Sequence, residues 1–417
     1  MQIGWACEET KKSSRTPKSV SDPDAFLFVL RTSALIAAKI TSVSSITKMT
    51  TTEKNTGPLA GVRVVEFAGI GPGPFAAMLL ADMGAEVIVI EQADARMGDK
   101  RNPINRGKRS IALNLKKPAD QETAWKLLTR SDVLIEGYRP GVMERLGFGP
   151  EAVQAKNAKL IYGRMTGWGQ TGPMAQMAGH DINYVALSGA MSFAYRPGQA
   201  PLVPATLVGD VGGALYLAFG IVCALLEAKN SGQGQVIDAA IIDSAAHMQS
   251  LVHAFRAMGI WKDDEKENFF FNSSHFYEVF TCADGKHFAI GAIETPFYVE
   301  LVIKLDLFDE LIAGQYHTQD WAALKALVAK RIAEQPQAHW VKVFEGSDAC
   351  AVPVLDLPAA AAHPHNRARG LFVEVDGQLQ AAPAPRFSRS NTRAPSAGTR
   401  LGEHSAEILA ELAQAPS

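Results

Sequence analysis

Gly61-Val-Arg-Val-Val-Glu-Phe-Ala-Gly-Ile-Gly-Pro-Gly-Pro-Phe-Ala-Ala-Met-Leu-Leu-Ala-Asp-Met-Gly-Ala-Glu-Val-Ile-Val-Ile-Glu91 decides the fold class. Residues 62–67 form a short β-branched apolar run, the pattern of a buried strand. Gly69-Ile-Gly71-Pro-Gly73-Pro74 is a turn whose prolines are placed to start a helix. Residues 75–83 read as that helix, Gly84 as its C-cap, and residues 86–91 as the next strand. A strand, a helix and a second strand joined by such short turns form a parallel crossover unit.

The same rhythm continues outward. Residues 132–135 and 160–164 are further short strands between helical stretches. Residues 211–229 form a long apolar helix, ended by Asn230-Ser-Gly232-Gln-Gly234, and residues 236–241 follow as a strand. This alternation predicts an α/β chain with a large, doubly wound, Rossmann-like parallel sheet. After Asp243 the rhythm changes. Residues 244–272 read as helical, then loop-like. Residues 276–282 and 287–293 flank Ala283-Asp-Gly-Lys286, a hairpin signal. Helices follow to about residue 345, then an Ala/Pro/Arg-rich wrapping linker over 357–400, then a short helix over 402–413. Residues 1–56 are rich in Ser, Thr and Lys without a sustained period, and Met49 opens a plausible start. They are expected to be a disordered extension or the product of a mis-called start.

The chain has 417 residues, suited to two domains, and a net charge of -2. No bulk field draws it to nucleic acid or to an anionic membrane. The longest apolar run upstream, residues 25–40, is broken by Arg31 and falls short of the roughly 20 residues a membrane span needs. Acidic residues Glu8, Glu9, Asp22 and Asp24 precede it, so it does not read as a signal segment. No other run was expected to span. Cys7, Cys223, Cys282 and Cys350 are scattered without metal spacing, which predicts a reducing, cytoplasmic setting with Cys223 buried in its apolar run.

Three ionisable residues sit in polar punctuation beside glycine: His180 in Gly179-His-Asp181, Asp210 in Gly209-Asp210, and Glu294 in Gly291-Ala-Ile-Glu294. A histidine and desolvated carboxylates are the parts that move protons at neutral pH. Spacing alone does not bring the three together. The Gly69–Gly73 turn, with Glu91 about twenty residues on, invites a dinucleotide reading. Its prolines and the missing third glycine make a tight turn that aims the first helix the default. Lys100, Arg101, Arg106, Lys108, Arg109, Lys116 and Lys117 cluster, followed by Arg139 and Arg145. They form either a solvated face or a site for a phosphorylated ligand.

These motifs in order resemble the class III CoA-transferase (CaiB/BaiF-type) superfamily and, within it, its α-methylacyl-CoA racemase subgroup. The resemblance runs from Gly-Pro-Leu-Ala-Gly-Val at Gly57 through Asn-Arg-Gly-Lys-Arg-Ser at Asn105 and Ile-Glu-Gly-Tyr-Arg-Pro-Gly at Ile135. It continues through Arg-Met-Thr-Gly-Trp-Gly-Gln-Thr-Gly-Pro at Arg164, Gly-His-Asp-Ile-Asn-Tyr at Gly179, Leu-Val-Gly-Asp at Leu207, Gly-Ala-Ile-Glu at Gly291 and Asp-Ala-Cys-Ala-Val-Pro-Val at Asp348. It implies an interlocked homodimer in which a large α/β domain (57–242, completed by a C-terminal return over 384–417) is joined through linkers 243–272 and 362–383 to a small α+β domain (273–361). The site would lie between the large domain of one subunit and the small domain of the other.

By the same resemblance, His180, Asp210 and Glu294 are catalytic, and the Asp181 N–H is the oxyanion donor. Gly137, Tyr138, Arg139, Arg145, Lys116 and Leu113 contact CoA, and Ile70 and Tyr184 line the acyl pocket. The implied activity is interconversion of (2R)- and (2S)-2-methylacyl-CoA by two-base proton transfer, within fatty-acid metabolism. No cofactor beyond the substrate's CoA is implied, nor is any metal, nucleic-acid or membrane partner. The alternatives are a CoA-transferase with Asp210 as acyl-accepting nucleophile and a catalytically silent acyl-CoA-binding dimer. Two positions depart from the subgroup's pattern: Thr206 stands where asparagine is common, and Gln92 where arginine is common.

Overall fold

The computed structural model describes residues 57–93, 99–194 and 199–414. The expectation for residues 1–56, Cys7 included, lies outside them. Six strands form the main sheet: β1 (Arg63–Phe67), β2 (Glu86–Gln92), β3 (Lys108–Leu113), β4 (Val133–Glu136), β5 (Ile161–Thr166) and β6 (Val236–Ala240). All pair in parallel, in the order β3-β2-β1-β4-β5-β6. The order reverses between β1 and β4. Loops leaving these two strands therefore diverge and open a crevice beyond their carboxyl ends.

The helices include α1 (Pro72–Asp82), α2 (Pro118–Leu128), α3 (Asp181–Leu187), α4 (Gly212–Ser231), α5 (Ile241–His247), α6 (Thr295–Lys304), α7 (Trp321–Ala333) and α8 (Ser405–Gln414). The start of α1 follows the sequence closely. Pro72 takes the first helical position, and Gly71 precedes it at φ 76°, a conformation that glycine adopts without penalty. Helices α1 and α4 cover one face of the sheet, where Val64, Ala77, Leu80, Leu217 and Ile221 share a core. On the other face Val65, Phe67, Leu134 and Tyr162 pack with Leu127 of α2 and Ile408 of α8.

Strand β3 is an addition to the expected strands, and its charges explain why. Lys108 is fully buried and donates to Glu66 Oε2 at 2.7 Å and to Pro74 O at 2.9 Å. Arg109 pairs with Glu86, Glu407 and Glu411. Of the basic cluster, Lys108 and Arg109 are strand residues whose charges are neutralised from neighbouring elements. The outer edge of β3 is closed by the chain's return: His404 Nδ1 and Ser405 Oγ accept from the Ser110 and Ala112 N–H groups at 3.2 and 3.1 Å. Covering an edge in this way removes a row of free backbone groups.

Helix α4 corrects two expectations. With the π turn before it (Leu207–Val211), it is long and apolar enough by composition to cross a membrane. Its helical period divides it into two faces. Ala214, Leu217, Ile221 and Ala224 enter the sheet core, whereas Leu215, Phe219, Val222 and Leu226 point outward and are exposed. Cys223 belongs to the outward face and is an exposed free thiol, not a buried one.

Further along the chain, β7 (Tyr277–Thr281) and β8 (His287–Gly291) form the expected antiparallel hairpin, and β9 (Ala351–Pro353) joins β8. Phe276, Phe288, Tyr298, Leu301, Trp321 and Trp340 build a separate core against α6 and α7. Within residues 357–400, β10 (Phe372–Val375) and β11 (Gln378–Ala381) make a hairpin where a linker was expected. Asp376 and Gly377 turn it at φ 51° and 73°, the two positive values a tight two-residue hairpin needs.

Candidate active site

Two clefts adjoin in the crevice where the strand order reverses. The larger, of about 580 Å³, is lined by Gly69, Ile70, Gln92, Asn105, Gly137 and Tyr138. The smaller, of about 220 Å³, is lined by Ile70, Gly71, Gly179, His180, Tyr184 and Asp210 among others. Both include Ile70 and Gly71, so the glycine turn after β1 is the shared wall. Ligands of open parallel sheets bind at such a place.

His180 is the N-cap of α3, in extended backbone, and its N–H donates to Asn183 Oδ1 at 3.0 Å. This reciprocal arrangement fixes where the helix starts and leaves the imidazole exposed at the cleft. Asp210 arrives from the π turn Leu207–Val211 that leads into α4. Single π turns widen a helix locally and re-aim its side chains. The Asp210 carboxylate lies over the glycine turn; a Cβ at Gly71 would stand 3.5 Å from its Oδ2. Asp181 ties the two walls together, its Oδ1 accepting the Asp210 N–H at 2.9 Å.

Burial raises the Asp210 carboxyl above its ordinary value, and the nearby Asp181 charge adds to this, while His180 pulls the other way. The Tyr184 phenol is raised by burial and by Asp210, against the pull of Arg139. Tyr184 donates to Gly179 O and meets Trp168 edge-on at 4.7 Å between ring centres. It thus braces the loop before His180.

The remaining sequence candidates divide. Ile70 is exposed at the shared wall and Tyr184 lies in the smaller cleft, while Gly137 and Tyr138 line the larger one. Arg139, Arg145 and Lys116 are exposed and line neither cleft. Leu113 is 4% exposed, its side chain is part of the sheet core, and it lines neither cleft. Glu294 is the N-cap of α6, beside the separate core, and lines neither cleft of its own chain. Gln315 Nε2 and Tyr316 Oη both donate to Ile293 O just before it, at 2.8 and 2.5 Å. The five cations Lys100, Arg101, Arg106, Lys108 and Arg109 are committed to carboxylates.

Sequence reasoning overlooked Glu136 and Arg164. Glu136, buried at the end of β4, accepts from Arg164 Nε at 2.9 Å and from the Tyr138 N–H at 2.8 Å. It fixes the loop that presents Gly137 and Tyr138. An acid ending an apolar strand run just before Gly-Tyr was the available signal. Thr206 makes no side-chain cap; it holds a left-handed φ of 65°, and its carbonyl accepts the Val211 N–H that closes the π turn.

The model of the family described as CoA-transferase family III matches residues 59–405. An α-methylacyl-CoA racemase of Mus musculus is 42% identical over 358 residues, covering 85% of this chain and 93% of the relative. One of Homo sapiens is 40% identical over 357 residues, with the same shares. Among solved structures, a CaiB/BaiF family protein from Brucella suis superposes with a TM-score of 0.74 at 27% identity, covering 86% of this chain and all of that one (100%).

Proposed function

The chain belongs to CoA-transferase family III, and on that premise we propose that it is a racemase interconverting (2R)- and (2S)-2-methylacyl-CoA thioesters. The observation that carries this reading is the meeting of His180 and Asp210 in the walls of one cleft. Its relatives at 40–42% identity bear the same activity in their names.

The hydrogen α to a thioester is weakly acidic. Its C–H bond breaks toward one base, and the electron pair moves onto the carbonyl oxygen to give an enolate. The second group, which starts the cycle protonated, then returns a proton to the opposite face. His180 and Asp210 are the pair for this exchange, and a carboxyl raised by burial is suited to alternate between acid and base. The Asp181 N–H, at the first position of α3, donates to the developing oxyanion.

Gly137 and Tyr138 in the larger cleft receive CoA, and the cations Arg139, Arg145 and Lys116 take its phosphates. The chemistry asks for no cofactor beyond the substrate's own CoA. In a homodimer of interlocked chains, Glu294 of the partner subunit completes the site beside His180; this accounts for its absence from the clefts of its own chain.

One epimer of a 2-methylacyl-CoA, incubated in deuterated water with no acceptor acid, tests the reading. Deuterium entering the α position with loss of chirality is the expected result. Acyl transfer to an added free acid, through a hydroxylamine-sensitive ester on Asp210 and without α-exchange, would establish a CoA-transferase instead.

A further inference from the structure

The Asp181 side chain has no part in the mechanism above, yet it makes a contact across the cleft. It follows His180 directly, and its Oδ1 accepts the backbone N–H of Asp210 from a turn 29 residues further along the chain. The approach is close enough to dictate its neighbour. A Cβ at Gly209 would lie 2.3 Å from Asp181 Oδ1 and 3.1 Å from Val185 Cγ2. A side chain before Asp210 would therefore push Asp181 Oδ1 out of this contact.

We infer that the Asp181 carboxylate is a positioning residue, which fixes the Asp210 main chain against the start of α3 and so sets the two proton-transfer groups at a constant separation across the enolate. The residue thus serves twice: its N–H faces the oxyanion while its side chain holds the opposing base. This inference rests on the racemase reading for its kinetic consequence, though not for its geometry.

Helices α1, α3, α4 and α5 all pack on the π turn that carries Asp210. Their titratable groups, with the N-cap of α3, are Asp82, His180, Asp181, Tyr184, Tyr216, Cys223, Glu227, Lys229, Asp243 and His247. Of these, Asp181 and His180 act on the Asp210 carboxyl, in opposite directions. Arg139 acts on the neighbouring Tyr184. Asp181→Asn keeps an acceptor oxygen in place and removes the like charge; Asp181→Ala removes both.

Two measurements follow. In the first, α-exchange is followed for each epimer separately, with His180→Ala and Asp210→Asn marking which epimer is served by which base. Asp181→Ala should lower exchange on the Asp210 side about tenfold or more beyond any loss on the His180 side, because a misplacement of an ångström is costly to an oriented proton transfer. Asp181→Asn should restore most of the Asp210-side exchange that Asp181→Ala loses, since the hydrogen bond to the Asp210 N–H survives. Equal losses on both sides in Asp181→Ala, or none, overturn the inference.

The second measurement does not depend on activity. Amide hydrogen exchange of the Asp210 N–H, read by mass spectrometry of peptides spanning residues 207–211, reports the bond itself. Exchange should be faster in Asp181→Ala and stay near the parent's in Asp181→Asn. Unchanged exchange in Asp181→Ala overturns the inference whatever the enzyme's reaction. Faster exchange in a protein that shows no α-exchange removes the racemase reading and leaves the contact standing.

Discussion

The carboxyl end of the main sheet and the separate core around β7 and β8 treat their histidines in opposite ways. His180 caps a helix at the rim of a cleft, exposed, with Asp210 in the same walls. His275 is wholly enclosed: its Nε2 lies 2.6 Å from Tyr298 Oη, which donates in turn to Leu311 O at 2.7 Å. The phenol has one proton and gives it to the carbonyl. Nε2 must therefore carry its own proton and donate to the phenol oxygen, leaving Nδ1 as a buried acceptor without a partner. One histidine is open to the cleft, and the other is built to stay neutral. A histidine near acids in sequence shows neither condition; enclosure decides between them.

The largest expected effect breaks the rim. His180→Ala and Asp210→Asn should each lower racemisation about 10³-fold, the scale of a lost general acid or base. Each should keep exchange of one epimer's α-hydrogen with solvent, and the retained epimer should differ between the two. Chiral analysis of product alongside mass-spectrometric deuterium counting reads both. Loss of exchange for both epimers in both variants would mean that the residues act as one unit and not as opposed bases. Full racemisation by His180→Ala would end its role as a base.

The enclosed histidine is broken by acid instead. Burial lowers His275 from the ordinary 6.5 to about 4. Between those values the unfolded chain binds the proton that the folded chain refuses. The stabilisation is complete above about pH 6.5, is lost as pH falls toward 4, and amounts to about 3 kcal/mol in all. A urea midpoint that falls steadily from pH 6.5 to 4.5 is expected. His275→Gln, which keeps a donor toward Tyr298 but does not titrate, should flatten that slope while lowering stability. A wild-type midpoint unchanged over this range would contradict the argument.

Much of the rim was legible in the sequence because backbone chemistry marks it. Gly71 and Pro72 specify the turn and the start of α1, and the short apolar runs give β1, β2, β4, β5 and β6 close to their observed limits. What escaped was decided by partners remote in sequence. Strand β3 was hidden by Lys108 and Arg109, whose carboxylates Glu66, Glu86, Glu407 and Glu411 come from both ends of the chain. The outward face of α4 was hidden because a long apolar run looks uniformly buried until its period is placed against a sheet. The β10–β11 hairpin was different: Asp376-Gly377 carried the turn signal in plain sight, and the surrounding Ala and Pro content obscured it. For the candidate site, glycine-flanked punctuation located His180 and Asp210, but nothing local in sequence could show that Asp181 joins them.

A smaller effect separates rim cations from scaffold cations. Arg139 and Arg145 are exposed, whereas Arg106 is locked to Asp82 at 2.7 Å and buried. Arg139→Ala and Arg145→Ala should each raise the KM for acyl-CoA about tenfold, the scale of one charge-assisted hydrogen bond. The KM for the matching acyl-pantetheine, which lacks the nucleotide, should stay unchanged. Equal increases for both substrates would show that the two arginines act on structure, as Arg106 does.

The smallest effect concerns strain, which the rim holds and the enclosed core's histidine does not need. Thr206 carries a branched Cβ at φ 65°, a backbone region where asparagine is far more at ease. A residue held there costs on the order of 1 kcal/mol. The hydroxyl caps nothing, and the contact that shapes the turn is the main-chain bond from Val211 N–H to Thr206 O at 2.9 Å, which any residue can supply. Thr206→Asn should therefore raise the thermal midpoint by about 1–3 °C, the size expected for that energy in a chain of this length. Because Asp210 is held independently through Asp181, kcat should stay within about twofold of the parent. A higher midpoint with a large fall in kcat would show that the strain aims Asp210. A lower midpoint would show that the threonine side chain stabilises the turn in a way its geometry does not reveal.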